Sequence, residues 1–364
     1  MVAAPVEVPV ALASNVDPLA PRPLVVTEVI RETPDAVTLR LLDPQDRPFE
    51  LVAGQFFTVC LEINGEPLRR AYSISSLAGR QETVDITIKR VDGGRVSTHL
   101  NRALKAGDLL FVLGPSGNFT VKPDPARARR LVLLGGGSGS TPLLSILRTL
   151  LPAEPQTRIA LVYGNRRQED IIFASAIADL EQAYPDRFVV RHTLEKPPAD
   201  WSGGTGFLDG KELLRQLATL PAWPAADIEY YSCGPEPMMA ACKAALLNEL
   251  HIAPHKIYEE RFVNPEARVD ADAATVALPV RLKLRGQQHQ FTVAPGQSVL
   301  EAGLKAGLAM PFSCAMGGCA ECMMKLTDGE LVMAEPNCLT PEERQNGYVL
   351  TCVGRPKSAV SLEH

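Results

Sequence analysis

With 364 residues, 46% of them hydrophobic and 22% charged, the chain has room for two or three domains that each bury a core, and nothing in it reads as disordered or fibrous. The net charge of -5 is small and no lysine- or arginine-rich run occurs, so a nucleic-acid partner is not expected. No apolar run reaches membrane-spanning length, the first twenty residues lack Lys and Arg, and eight cysteines make no dense disulfide framework; the expectation is a cytoplasmic protein without a membrane partner.

Residues 1–22 read as an N-terminal tail. From 23 to 125, short β-runs at 24–30, 36–42, 55–61, 84–90 and 108–113 alternate with Gly, Pro, Asn and Asp, which predicts an antiparallel β-barrel or sandwich with no helix of ordinary length. From 126 to 262, apolar strand candidates (131–134, 158–163, 188–192, 228–233) alternate with helical stretches such as 143–151 and 237–250. That pattern predicts an α/β domain with a parallel sheet covered on both faces. Residues 263–275 read as a linker. Residues 276–358 form a third, α+β domain: a hairpin (280–284, 290–293), a helix opened by the capping box Ser298-Val299-Leu300-Glu301 and closed at Gly307, a cysteine loop, a strand at 323–327, a short helix at 341–345 and a strand at 348–353. Residues 359–364 read as a tail in which Leu362-Glu363-His364 looks like the remainder of an affinity tag.

Three motifs carry chemistry. In the barrel, Arg70-Ala71-Tyr72-Ser73 has the R-x-Y-S pattern of flavin-binding barrels and is read as following a strand. Its arginine suits a diphosphate, its tyrosine a flavin face and its serine a ring edge. Downstream, Lys89-Arg90-Val91-Asp92-Gly93-Gly94-Arg95-Val96-Ser97 leads through a glycine turn into a helix start whose backbone N–H groups could cradle a pyrophosphate. Two anion sites on one barrel favour FAD over FMN. A buried tyrosine and an ordinary hairpin turn are the bland alternatives.

In the second domain, strand 131–134 runs into Gly135-Gly136-Gly137-Ser138-Gly139-Ser140-Thr141-Pro142, with Thr141 as expected N-cap and Pro142 at the first helical position. Such a loop sets backbone donors against a diphosphate. Tyr163-Gly164-Asn165-Arg166-Arg167 ends the next strand, where two arginines could pair with a 2′-phosphate and favour NADPH, with NADH possible. Cys233-Gly234-Pro235 ends a later strand on the carboxyl side, where ligands of parallel sheets gather. Finally, Cys314, Cys319, Cys322 and Cys352 have the C-x4-C-x2-C…C spacing of a plant-type [2Fe–2S] cluster, with Gly317 and Gly318 permitting close backbone approach. Four thiolates also suit zinc.

The order of these motifs resembles the ferredoxin–NADP reductase superfamily, in the branch of oxygenase reductase components with a C-terminal plant-type ferredoxin domain. The reductase subunits of phenylacetyl-CoA epoxidases are one such type. The resemblance implies a β-barrel FAD domain, an NAD(P)-binding α/β domain and a β-grasp ferredoxin domain. It further implies that Arg70, Tyr72 and Ser73 hold the isoalloxazine and diphosphate, and Gly94, Val96 and Ser97 the FAD pyrophosphate, with Ala71, Lys89 and Val91 in the same motifs. Gly135, Gly136, Gly137 and Thr141 would face the nicotinamide nucleotide, Asn165 and Arg166 its ribose end, and Cys233, flanked by Gly234 and Pro235, the hydride-donating ring. Ser73, Thr141 and Cys233 are the residues expected at the reacting centre. Electrons would pass from NAD(P)H through FAD and the cluster to a partner oxygenase of di-iron or Rieske type. A stand-alone reductase of small acceptors, and a zinc-stabilised nucleotide-binding adaptor, are the alternatives. The resemblance departs at Ala315, where many such ferredoxins carry a basic residue.

Overall fold

The computed structural model describes residues 19–224, 227–262, 275–335 and 337–364; residues 1–18 of the tail expected over 1–22 and residues 263–274 of the linker expected over 263–275 lie outside them. In the first domain, six strands pair antiparallel in the order Glu66–Ser73, Phe56–Ile63, Leu109–Ser116, Arg22–Thr33, Ala36–Leu42 and Thr83–Lys89. A bridge between Ile74 and Ile86 joins the two ends into a barrel. The period-2 alternation of the strands turns Leu24, Val37, Leu39, Ile86, Ile88 and Val112 into one core.

Two expectations need correction here. Arg70-Ala71-Tyr72-Ser73 does not follow a strand; it is the last four residues of one, Glu66–Ser73. Asn64 and Gly65, both at positive φ (57° and 75°), make a two-residue turn with Ile63 paired to Glu66, so the chain doubles straight back on Phe56–Ile63. The segment also contains an eight-residue helix, Arg95–Arg102, which buries Val96 and Leu100.

The second domain is a parallel sheet in the order Gly204–Thr205, Phe188–Leu194, Arg158–Asn165, Arg129–Gly136, Asp227–Cys233, Ile257–Glu260. The helices Ser140–Ala153, Ala174–Ala183, Gly210–Ala218 and Glu236–Asn248 connect its strands. The chain builds outward from Arg129–Gly136 on one side and then crosses to the other. The carboxyl ends of Arg129–Gly136 and Asp227–Cys233 therefore flank the topological switch point, where such sheets bind ligands. Barrel and sheet share a core: Ala36, Ala53, Phe119 and Val121 pack with Leu131, Leu143 and Tyr231, and the Phe119 and Tyr231 rings meet edge to face at 5.5 Å. Ser145 Oγ also donates to Ser76 O (2.8 Å), and a guanidinium nitrogen of Arg148 to Ser75 O (2.9 Å).

The amino edge of the sheet is held by a buried ion triad. Arg129, 2% exposed, donates twice to Glu154 (2.7 and 3.0 Å) and once to Glu229 (2.9 Å). Burial opposes ionisation of Glu154, but the Arg129 fork, the Thr157 hydroxyl and the Asp124 N–H outweigh it and hold the carboxyl below the usual glutamate range. Its folded pKa is thus lowered, so this contribution to stability is complete above the unfolded value and is lost as pH falls through the folded one.

The third domain is an α+β, β-grasp unit. Its mixed sheet runs Gln287–Val293, Leu278–Leu284, Val360–Glu363, Met323–Asp328, Tyr348–Leu350, with Leu278–Leu284 and Val360–Glu363 parallel and the other pairs antiparallel. The Ser298/Glu301 capping box forms as expected at helix Val299–Lys305 (3.2 and 2.9 Å). Residues 359–364 are not a tail. Val360 and Leu362 alternate with Ser361 and Glu363 as a half-buried strand does, and both apolar side chains enter the domain core. The strand expected at 348–353 stops at Leu350, leaving Cys352 in the turn beyond it. Among the described residues no helix is long and apolar enough to cross a membrane.

Replacing Arg129 with Met leaves the buried Glu154 carboxylate without a cation, while Glu229 keeps Arg127 at 2.8 Å. The expected loss of unfolding stability at pH 7 is about 3–5 kcal/mol, read as a lower urea midpoint.

Candidate functional site

The Asn64-Gly65 turn and the strand it starts bring Arg70, Ala71, Tyr72 and Ser73 to the wall of a cavity of about 730 Å³. Opposite them stand Lys89, Val91, Gly94, Val96 and Ser97, so the structure gathers both barrel motifs around one space. Helix Arg95–Arg102 points its amino end there with Gly94 at the N-cap and no side-chain cap. Gly94 is required because a Cβ would lie 2.6 Å from Ser97 Oγ, and that hydroxyl accepts from Val91 N (3.1 Å). A cofactor-sized cavity with an apolar wall, three cationic side chains (Arg70, Lys89 and Arg95) and bare helix N–H groups fits a flavin with its diphosphate. Burial pushes the Tyr72 hydroxyl pKa well up, so the ring faces the cavity neutral.

At the switch point, Arg129–Gly136 passes through a 3-10 turn, Gly137–Gly139, into helix Ser140–Ala153. Thr141 is therefore not the N-cap. The helix begins at Ser140 with Gly139 as cap, and the Thr141 and Ser140 hydroxyls donate back to Ser138 O (2.9 Å) and Gly137 O (3.0 Å). The 3-10 entry starts the helix two residues early, and the hydroxyls brace the turn instead of satisfying the helix N–H groups. Thr141 and Ser138 still line the flavin cavity.

The glycine loop rests directly on Cys233-Gly234-Pro235: a Cβ on Gly139 would lie 1.9 Å from Cys233 O, and one on Gly136 2.6 Å from Pro235 Cδ. Cys233 is fully buried; burial first, and then the Glu260 charge, push its thiol well above the usual range, so it is a neutral packing surface rather than a nucleophile. Across the crevice Asn165 is 5% exposed, yet among the described residues neither of its amide atoms has a hydrogen-bond partner; Tyr163 OH lies near but is directed to Gly137 O and Ser140 Oγ (2.9 Å each). An orphaned amide at the carboxyl edge fits a bound nucleotide. Arg166 sits at the same edge, its guanidinium bound to Asp170 (2.9 and 3.3 Å), while Arg167 faces Glu169 at 3.6 Å.

The cluster loop brings the four expected cysteines together as two thiol pairs, Cys314 with Cys319 and Cys322 with Cys352. Two thiolates for each of two irons is the donor set of a [2Fe–2S] cluster, whereas one zinc ion draws all four sulfurs to a single point. Gly317 N donates to Cys352 Sγ (3.1 Å) and Gly318 N to Cys314 Sγ (3.2 Å), with Gly317 at φ 78°. Backbone donors on sulfur are the second-sphere contacts that tune such a group.

The loop packs against the barrel. Phe56, Cys314 and Met316 form a small apolar cluster with Ala71 and Cys319, and Thr58 Oγ1 donates to Cys314 O (3.4 Å). A second cavity, about 490 Å³, opens at this junction and is lined by Ala71, Ser73, Glu260, Phe262, Cys314 and Cys319. Ala71 and Ser73 thus line both cavities.

Sequence reasoning missed Phe56, Met316, Glu260 and Phe262. Ser73 Oγ donates to Glu260 Oε2 (3.1 Å), and burial, opposed by that hydroxyl and reinforced by Cys319, pushes the Glu260 carboxyl up to about 8. The available signal was Glu259-Glu260-Arg261-Phe262, a charged and aromatic run where an apolar strand ends.

Residues 23–121 match the oxidoreductase FAD-binding domain family, 133–244 the oxidoreductase NAD-binding domain family and 282–357 the 2Fe-2S iron-sulfur cluster binding domain family. One component of the 1,2-phenylacetyl-CoA epoxidase of Escherichia coli (strain K12) is 33% identical over 340 residues, 92% of this chain and 94% of that one. The chain belongs to the oxygenase-reductase branch of the ferredoxin–NADP reductase superfamily. Another relative, the glycine betaine monooxygenase reductase subunit of Pseudomonas aeruginosa (strain UCBPP-PA14), is 35% identical with 93% of each chain covered. Phthalate dioxygenase reductase, 23% identical, shares the fold with a TM-score of 0.58 over 94% of this chain and 98% of its own. This reductase is an NAD(P)H-dependent oxidoreductase that carries FAD and [2Fe–2S].

At Gly139 the φ of -62° suits any residue, so only space is at stake in Gly139→Ala. Lifting the loop off Cys233 should lower kcat/KM for NAD(P)H by about a hundredfold with ferricyanide as acceptor, while the visible spectrum of bound flavin and cluster is unchanged.

Proposed function

We propose that this chain oxidises NAD(P)H and hands the electrons one at a time to a separate oxygenase or epoxidase component, of the di-iron or Rieske type. The observation that carries this reading is the junction at Ala71–Ser73, where one strand end faces both the barrel cavity and the cysteine loop. When bound, FAD supplies two-electron acceptance from the nucleotide, and the [2Fe–2S] group supplies one-electron output.

The chain's own part is placement. Arg70, Lys89 and the amino end of helix Arg95–Arg102 neutralise a diphosphate. Tyr72 presents a ring, with Ala71, Val91, Gly94, Val96 and Ser97 shaping the remaining wall. Ser73, held by Glu260, fixes a hydroxyl at the edge nearest the cluster. Gly135, Gly136, Gly137 and Thr141 form one side of the nucleotide crevice; Cys233, Gly234 and Pro235 form the other, with Asn165 and Arg166 at its ribose end. Cys314, Cys319, Cys322 and Cys352 hold the iron. Phe56 and Met316 pack the cluster loop against the barrel beside the junction cavity, which shortens the path for electrons. The eight unpaired cysteines support a reducing, cytoplasmic setting. The named relatives are a subunit of an epoxidase and the reductase subunit of a monooxygenase, which supports an oxygenase as partner.

Cys319→Ser tests the division of labour. The variant should keep flavin and NAD(P)H:ferricyanide turnover, lose iron and acid-labile sulfide, and lose reduction of one-electron acceptors such as cytochrome c or a purified oxygenase component. Undiminished one-electron delivery by the iron-free variant rejects the route. Equal turnover of quinones or ferric complexes, with no oxygenase retained on a column of the holoenzyme, favours a stand-alone reductase.

A further inference from the structure

The two arginines that end strand Arg158–Asn165 bring little uncompensated charge. Arg166 gives Nε and one terminal nitrogen to the two oxygens of Asp170 (2.9 and 3.3 Å), a carboxylate 8% exposed. The chain at Glu195 and Lys196 runs alongside, with Glu195 N and Lys196 N bonding Asn165 O (3.0 Å) and Arg166 O (2.8 Å), and the Glu195 charge acts on the Arg166 guanidinium. From the barrel, Asp35 acts on the same guanidinium while bridging to Arg90 at 2.7 Å. Arg167 has Glu169 at 3.6 Å, and Lys196 is exposed. A dianionic phosphate reaching the free donors of Arg166 would sit next to the Asp170 and Glu195 carboxylates. A ribose 2′-hydroxyl meets no such repulsion and can donate to a carboxylate.

We propose that Asp170 is the specificity-determining residue of the nucleotide site: by occupying Arg166, with Glu195 beside it, it turns the ribose end against a 2′-phosphate, so that this reductase uses NADH at least as readily as NADPH. The inference rests on the reading that the nucleotide's ribose lies at the carboxyl end of Arg158–Asn165, and it reverses the NADPH preference that two adjacent arginines suggest in the sequence.

The test uses the holoenzyme with ferricyanide as acceptor, together with competition by two fragments, 5′-AMP and 2′,5′-ADP. For the unaltered chain, kcat/KM for NADPH should not exceed that for NADH, and 2′,5′-ADP should bind no more tightly than 5′-AMP. Asp170→Asn keeps the shape and one acceptor but removes the charge. It should raise the NADPH:NADH ratio by about tenfold and tighten 2′,5′-ADP, with 5′-AMP unchanged. Glu195→Gln, at an exposed position that does not endanger folding, should move the ratio the same way by a smaller factor. A starting preference for NADPH above tenfold, or two variants with an unaltered ratio, overturns the proposal while the nucleotide site stands. Fragments that fail to compete, with Arg166→Ala affecting neither nucleotide, overturn the ribose placement and the proposal with it. A holoenzyme whose flavin neither nucleotide reduces overturns the proposed function itself.

Discussion

Electrons move usefully between two centres only when little separates them, and the constraint that organises this molecule is the contact between strand Glu66–Ser73 and the cysteine loop. Ala71 packs on Cys314 and Met316 with Phe56 beside it, and Ser73, two residues along, faces the barrel cavity. Each domain is bent to serve that contact. The Asn64-Gly65 turn delivers the strand, the left-handed Gly317 lets the loop fold back on its own sulfurs, and the last parallel strand brings Glu260 to brace Ser73. The junction is apolar where packing must keep water out, and polar where a hydroxyl must be aimed.

The nucleotide crevice obeys a different rule, which is lack of room. Its glycines serve less to adopt unusual dihedrals than to let two backbone segments touch. At Gly139 the neighbouring carbonyl occupies the very place of a side chain, although the backbone there is ordinary helix. That closeness fixes the floor of the crevice.

Much of this was legible in the sequence. Cysteine spacing is set by cluster chemistry, and a glycine loop between an apolar strand and a helix marks the carboxyl edge of a parallel sheet, so the grouping of the four thiols, the place of the glycine loop and the three-domain order were legible. What escaped depends on partners distant in the chain. Strand Glu66–Ser73 is too polar to alternate visibly, and only its turn announced it. Val360–Glu363 reads as a scrap until Leu278–Leu284 and Met323–Asp328 flank it. Glu260 looks like a solvated charge until the sheet order puts it at the carboxyl edge, and Phe56 and Met316 are ordinary apolar residues until two domains meet. Arg166 shows the converse: its presence was legible, but its occupancy by Asp170 was not.

The shared core of barrel and sheet carries one more implication. Phe119 and Val121 are sunk among Leu131, Leu143 and Tyr231, and helix Ser140–Ala153 is tied to the barrel at Ser75 and Ser76, so these two domains behave as a single block. The third domain leans on that block through a handful of apolar atoms, one hydroxyl on Cys314 O and the Asn118–Glu321 bond. Among the described residues that seam is the lighter of the two contacts between domains, so a perturbation of the assembly is felt there before it reaches the shared core.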